Sequence, residues 1–297
     1  MSQSLSSQPS VCAIMLTANR PQYAKRAVEA FRAQTYANKR LYICDTGIET
    51  CGLENLFSVQ IGVFDCREAQ RKEPRTIGDL RNMAGRNITS DILLHWDDDD
   101  YSHPNRIAEQ VALLQSSGAD VVGYNELLFW REPQRSVHPY GTGGSPIDMG
   151  TNPGEAWLYS SKNRQYALGT SFCMWRSAWQ RKPFEATSIG EDERFLRGLK
   201  VAAVSSLPQK CSGCYERQHL GIKGEWCMDC LERGFNNPRM LARIHGSNTS
   251  TAYRDSELRV KPEWQRVPEW DSYCRSIMSG FVDGGAVNPG TPYVVGQ

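Results

Sequence analysis

The chain has 297 residues, 40% hydrophobic and 23% charged, with eight Trp, twelve Tyr and nine Phe. That apolar content excludes disorder for the bulk of it and suffices for one large core, or one core with an appendage. A net charge of +1 excludes a global nucleic-acid-binding field.

A local basic patch stays open, because six Lys/Arg lie between Arg20 and Arg40 against the single Glu29; the same pattern fits the solvated face of a helix. No apolar run approaches the roughly 20 residues needed to span a bilayer. Met1 to Ser10 is Ser/Gln-rich and uncharged, without the regions of a secretory signal. These residues read as a disordered lead-in to a soluble, cytoplasmic protein.

In chain order, Val11 to Thr17 is a continuous apolar run, as in a strand covered on both faces. Asn19 offers a helix cap and Pro21 suits a first turn, with Ala24, Ala27, Val28 and Phe31 recurring at helical spacing. Leu41 to Cys44 is a second strand ending at Asp45-Thr46-Gly47, and a third falls around Phe57 to Phe64. Gly78 to Asn87 reads as helix, and Ile92 to Trp96 as a strand ending in Asp97-Asp98-Asp99-Asp100. Ile107, Val111 and Leu114 mark one face of the next helix, which Gly118 is placed to end before Val121-Val122 starts a strand.

Residues 131–165 are rich in Gly, Pro and Ser and read as a long loop, a lid or binding surface. Ala167 to Trp179 is apolar again, and Gly190-Glu191-Asp192 opens a helix. Trp264 and Trp270 suggest a C-terminal part that packs back on the body. Alternating strands and helices predict an α/β fold with a mainly parallel sheet, whose ligands bind beyond the carboxyl ends of the strands. Asp45 and Asp97 to Asp100 stand at such ends.

Four consecutive aspartates repel one another unless a cation is present. Oxygen-only ligands suit Mg²⁺ or Mn²⁺, and so a diphosphate; the other reading is a solvated acidic turn. Of the ten cysteines, Cys12, Cys44, Cys51, Cys66, Cys173 and Cys274 are scattered, several in apolar runs where buried thiols are common. Cys211-x2-Cys214-x12-Cys227-x2-Cys230 has the spacing of a tetrahedral structural zinc site, with a redox pair as the alternative.

The ordered pieces Leu16-Thr17-Ala18-Asn19-Arg20-Pro21, Ala33-Gln34-Thr35-Tyr36, Cys44-Asp45-Thr46-Gly47 and Arg81-Asn82 continue into the four aspartates followed by Pro104. Gly190-Glu191-Asp192 and His245-Gly246-Ser247-Asn248-Thr249-Ser250 complete the series. Across roughly residues 11–250 this resembles the family-2-type glycosyltransferases of the GT-A fold. The resemblance implies a GT-A-type sheet flanked by helices, here with a zinc-ribbon-like insertion outside the family's usual pattern.

It also implies a nucleotide-diphospho-sugar donor. Thr17 and Asp45 match positions that contact the base, Arg81 one near the nucleotide, and Asp97 and Asp98 would lie near the ribose. Asp99 matches the metal ligand (Mn²⁺ or Mg²⁺) and Asp192 the catalytic base. His245 matches a late His that approaches the metal or diphosphate, although a His before Gly-Ser-Asn is equally a turn residue. Ala18 and Thr46 depart from the family's frequent Tyr and Asp, so the nucleobase is not carried over.

The layout expected is a lead-in (1–10), a nucleotide-sugar-binding half (11–125) and an acceptor-binding half carrying the Glu-Asp motif (126–205). A zinc-binding insertion (206–233) and a C-terminal segment closing over the active site (234–297) follow. The function expected is an inverting, metal-dependent transfer to an acceptor hydroxyl; the acceptor is a glycan, a small molecule or a modified nucleic acid base. Trp130, Trp157 and Trp175 read equally as acceptor stacking platforms or as core.

Two further readings stand beside it: glycosylation of modified bases in DNA, and a zinc-ribbon nucleic-acid-binding protein with an inert α/β body. In the segment 206–233, Lys210, Arg217, Lys223 and Arg233 are balanced by Glu216, Glu225, Asp229 and Glu232. No net charge is left there for phosphate contacts.

Overall fold

The computed structural model describes residues 8–48, 52–53, 58–133, 135–138, 147–151, 153–209, 237–245 and 261–280. In order, the elements are β1 (Val11–Thr17), α1 (Pro21–Arg32), β2 (Lys39–Asp45), β3 (Ile61–Asp65), α2 (Arg67–Lys72), α3 (Ile77–Asn87), β4 (Ile92–His95) and β5 (Tyr101–Ser102). There follow α4 (Arg106–Ser117), β6 (Val121–Arg131), β7 (Arg135–His138), β8 (Ile147–Thr151), β9 (Glu155–Ser160), β10 (Cys173–Trp175), α5 (Arg176–Arg181) and α6 (Glu191–Leu196). The last are β11 (Val201–Ser205), β12 (Met240–Ile244), β13 (Trp264–Arg266) and α7 (Asp271–Gly280).

The chain divides into two units, Met1–Glu126 with Ser161–Ser206, and Leu127–Ser160 with Leu207–Gln297. Residues 127–160 thus belong with the C-terminal part and not with 161–206. No helix among the described residues is long and apolar enough to cross a membrane.

In the first unit the strands run in the order β3-β2-β1-β4-β10-β6-β11. The pairs β1–β2, β2–β3, β1–β4 and β6–β11 are parallel, while β10 runs antiparallel to both β4 and β6. The sheet is therefore mixed, mainly parallel with one reversed strand. Alternation along each strand feeds two cores, as the two-residue side-chain period requires.

Val11, Ala13 and Met15 of β1 join Leu41, Ile43, Ile92 and Leu94 on one face, under Ala24, Val28 and Phe31 of α1 and Ile107, Val111 and Leu114 of α4. Cys12 and Ile14 join Tyr42, Cys44 and Leu93 on the other, under Leu80 and Ala84 of α3, Trp179 of α5 and Phe195 of α6. The apolar runs of β1 and β4 are explained by this double coverage.

In the second unit β13 pairs antiparallel with β9, and β12 runs parallel to the later residues of β6, Leu241 opposite Leu128. β7 and β8 form a separate antiparallel pair. Trp157, Ile244, Phe129 and Trp264 form one apolar cluster in this unit. Trp130 and Trp157 are buried, and the partly buried Trp175 packs against the first core, which favours the core reading of the three.

Three expectations are corrected. Residues 131–165 are not a featureless loop, since β7, β8 and β9 lie within them; β9 is held between β6 and β13, pairings that local composition does not signal. Asn19 does not cap α1: it adopts φ 57, and its Oδ1 accepts from Ile48 N at 2.6 Å. The cap position is Arg20, without a side-chain bond. The third strand begins at Ile61.

Candidate functional site

Parallel pairing brings the ends of β1, β2 and β4 together. Thr17 pairs with Asp45 across β1–β2, and Ile14 with His95 across β1–β4. Immediately after β4, Trp96 is buried edge-on to Phe31 at 5.9 Å and donates its Nε1–H to Ala27 O at 3.0 Å. That anchor to α1 fixes where the acidic run begins.

Asp98 is fully buried, and Asp99 and Asp100 nearly so. Asp98 Oδ2 accepts from Thr17 Oγ1 at 2.7 Å, and Asp100 Oδ2 from Thr170 Oγ1 at 2.5 Å. Arg20 spans the middle of the run, its Nη2 2.7 Å from Asp98 Oδ1 and its Nη1 2.9 Å from Asp99 Oδ2. The first contact is an ion pair without hydrogen-bond alignment, since Asp98 Oδ1 has no hydrogen-bond partner. Asp45, also buried, closes its own turn by accepting from Gly47 N at 2.9 Å.

Burial, then the neighbouring Asp99, pushes the Asp98 carboxyl up to about 7, against the pull of Arg20 and Thr17. Burial raises Asp97 as well, opposed by Arg81. The run thus holds less than its full formal negative charge near neutrality, and an approaching cation would strengthen its ionisation.

Across from these strand ends, α6 begins at Gly190, whose φ of 71° is left-handed. Glu191 turns inward, where its Oε1 meets Arg81 Nη1 at 2.6 Å with both side chains buried. Burial raises its carboxyl in spite of Arg81. Asp192 is half-exposed and accepts from Glu193 N at 2.8 Å. Its side chain lies against Gly169, where an added Cβ would stand 2.6 Å from both Asp192 Cβ and Oδ2. Thr170, the next residue, is the one bonded to Asp100. One short turn therefore touches both carboxylate groups.

Buried polar residues hold that turn. Arg106, fully buried, donates to Ser102 Oγ (2.8 Å), His95 O (2.9 Å) and Thr170 O (3.2 Å), with its guanidinium 5.3 Å from the Trp96 ring centre. Gln110 Nε2 donates to Ser171 O at 2.7 Å, and His95 Nδ1 lies 2.6 Å from Gly169 O. Burial drives the His95 imidazole well below its ordinary range, so it is neutral.

Thr17, Asp45, Arg81, Asp97, Asp98, Asp99 and Asp192 all belong to the first unit, and Arg81 is engaged by Glu191. His245 is buried in the second unit. Cys211, Cys214, Cys227 and Cys230 lie outside the described residues. Among the described residues, no three His, Cys, Asp or Glu groups form a metal-holding cluster.

Sequence reasoning gave no role to Arg20, Thr170, Arg106 or Gly169. Arg20 had a signal, since four aspartates demand a counter-cation and it follows the neighbouring strand. Thr170 and Gly169 had none.

The profile of Glycosyl transferase family 2 matches residues 12–184, more than half of the chain. The chain belongs to glycosyl transferase family 2. No curated protein matches this family-2 chain in sequence.

Among solved structures it is similar to S. aureus TarS 1-349 in complex with UDP-GlcNAc, with 13% identity over 94% of this chain and 68% of that one at a TM-score of 0.49. For TarS 1-349 alone the values are 14%, 66%, 58% and 0.44. For the mannosyltransferase PcManGT from Pyrobaculum calidifontis in complex with GDP-Man and Mn²⁺ they are 12%, 67%, 56% and 0.41. The family-2 chain thus spans little more than half of the latter two.

Proposed function

We propose that this family-2 chain transfers a sugar from a nucleoside-diphosphate donor to an acceptor hydroxyl, with inversion and in dependence on Mg²⁺ or Mn²⁺. The observation that carries the reading is the Gly169-Thr170 turn, which touches Asp192 on one side and Asp100 on the other. A candidate base and an acidic donor end are thereby held together by residues of one unit.

In this reading Thr17 and Asp45 meet the nucleobase, Arg81 stands near the nucleotide, and Asp97 and Asp98 meet the ribose. Asp192 accepts the acceptor's proton as the acceptor oxygen bonds to the anomeric carbon and the bond from that carbon to the diphosphate oxygen breaks. Glu191 does not share this task, because Arg81 engages it. Asp99 would hold the divalent cation. The oxygen donors suit Mg²⁺ or Mn²⁺, whose remaining positions diphosphate and water would fill. When bound, the cation supplies positive charge to the departing diphosphate.

Incubation with a panel of nucleotide-sugars, following release of the nucleoside diphosphate, identifies the donor. Asp192→Asn should then keep donor affinity by calorimetry and lose turnover by roughly 10²–10⁴-fold. Near-normal turnover of that variant with a confirmed acceptor would overturn the assignment of the base. The reading includes one structural zinc on Cys211, Cys214, Cys227 and Cys230, supported by their spacing.

A further inference from the structure

Arg20 is a charged neighbour of the acidic run that the proposed reaction leaves unused. It follows the left-handed Asn19 at the end of β1, and one guanidinium serves two adjacent carboxylates, at 2.7 Å and 2.9 Å. The Arg20 side chain is 24% exposed, against 1% for Asp98 and 8% for Asp99, so the cation is the more accessible member of the group.

Burial alone would weaken the Arg20 charge; Asp98, Asp99, Asp97 and Asp100 more than reverse that. A guanidinium is a permanent cation whose planar fork suits paired oxygens. It satisfies buried carboxylates that would otherwise be costly to keep ionised. The same arrangement obstructs a metal. A divalent ion on Asp99 competes for the carboxylate that Nη1 engages, and two cations at one carboxylate pair repel.

We propose that Arg20 is the resting counter-cation of the Asp98–Asp99 pair, and that a divalent cation enters by displacing its guanidinium. The inference rests on the reading of Asp99 as the metal ligand. It makes metal binding in the absence of donor weaker than the carboxylates alone would give, and it keeps the metal-free chain stable around its buried acids.

The test is calorimetric titration of Mn²⁺ into the chelator-treated wild type, Arg20→Ala and Arg20→Lys without donor. Asp99→Ala serves as the background for any other Mn²⁺ site, and thermal midpoints are recorded in chelator and in saturating Mn²⁺. Arg20→Ala should bind Mn²⁺ about tenfold more tightly, the loss of charge-assisted bonds removing the competitor. Its midpoint should fall below wild type in chelator and recover in Mn²⁺, with Arg20→Lys between the two. A merely structural Arg20 would lower the midpoint without tightening the metal.

Equal or weaker Mn²⁺ affinity in Arg20→Ala overturns the displacement while leaving Asp99 as a ligand. If wild type and Asp99→Ala take up Mn²⁺ alike, the reading of Asp99 fails and the displacement with it. Should Arg20→Ala not fold, Arg20→Lys decides: tighter Mn²⁺ supports the proposal, and equal or weaker Mn²⁺ overturns it.

Discussion

At the scale of single residues, the site is a set of carboxylates whose neighbours give each a different task. Asp98 is held by Thr17 and Arg20, Asp100 by Thr170, and Glu191 by Arg81. Asp192 keeps an accessible carboxylate because Gly169 leaves room beneath it. A methyl group at position 169 would stand 2.6 Å from Asp192 Cβ, and Cβ cannot swing aside as a side-chain tip does. Gly169→Ala is expected to displace Asp192, the proposed base, and lower kcat by about 10-fold to 10²-fold, since such small misplacements cost that much. The donor Kd should stay within about twofold, within ordinary mutational scatter for a distant change. Calorimetry beside steady-state kinetics separates the two effects; a loss of donor affinity with kcat intact would contradict the positioning of Asp192 by this glycine.

At the scale of elements, the helix ends near the site differ in how they are secured. Helix α3, which carries Arg81, starts with a capping box: Thr76 Oγ1 accepts from Asp79 N at 3.2 Å, and Asp79 Oδ2 accepts from Thr76 N at 3.1 Å. The Thr76 side-chain and backbone bonds hold the Asp79 carboxyl below its ordinary range. A depressed carboxyl stabilises the fold above its unfolded value, and that contribution is lost as pH falls through the folded value. Thr76→Ala should therefore cost about 1 kcal/mol at neutral pH. The gap from wild type should narrow in acid, measured by urea unfolding; an unchanged midpoint at pH 7 would show that the cap does not stabilise α3.

Helix α4 ends at Gly118, left-handed with φ 63°, as its place after Leu114 predicts. Helix α1 behaves differently. Pro21 starts it as expected, but the neighbouring Asn19 side chain bonds to Ile48 and does not cap it. Local spacing identified the helix, while a partner 29 residues away decided the role of the asparagine.

At the scale of the whole molecule, β6 contributes residues to both units, and residues 127–160 return to the C-terminal part of the chain. The buried Trp130 and Trp157 belong to the second unit, where Arg275 lies 6.0 Å from the Trp130 ring centre. The four clustered cysteines are separate in sequence from all of this chemistry. Protein purified without added zinc should contain about one zinc per chain, because four thiolates close a tetrahedral sphere. Metal analysis with thiol titration checks it; no metal and four freely reactive thiols would remove the site from the proposal.

Periodicity made β1, α1, β2, α3, β4 and α4 legible, because double-sided burial leaves continuous apolar runs in strands and a spaced stripe in helices. The acidic run was legible for a similar reason, since four adjacent like charges have few structural uses. By itself the sequence determined the α/β class, the order of these elements and the residue types at the strand ends. Only the tertiary structure decided that Arg20 answers Asp98 and Asp99, that Glu191 is taken by Arg81, and that Gly169 and Thr170 join Asp192 to Asp100. The bonded pairs among them connect residues about 70 to 110 positions apart. Ion pairs and close packing depend on distances of a few ångströms, which local patterns of hydrophobicity do not encode.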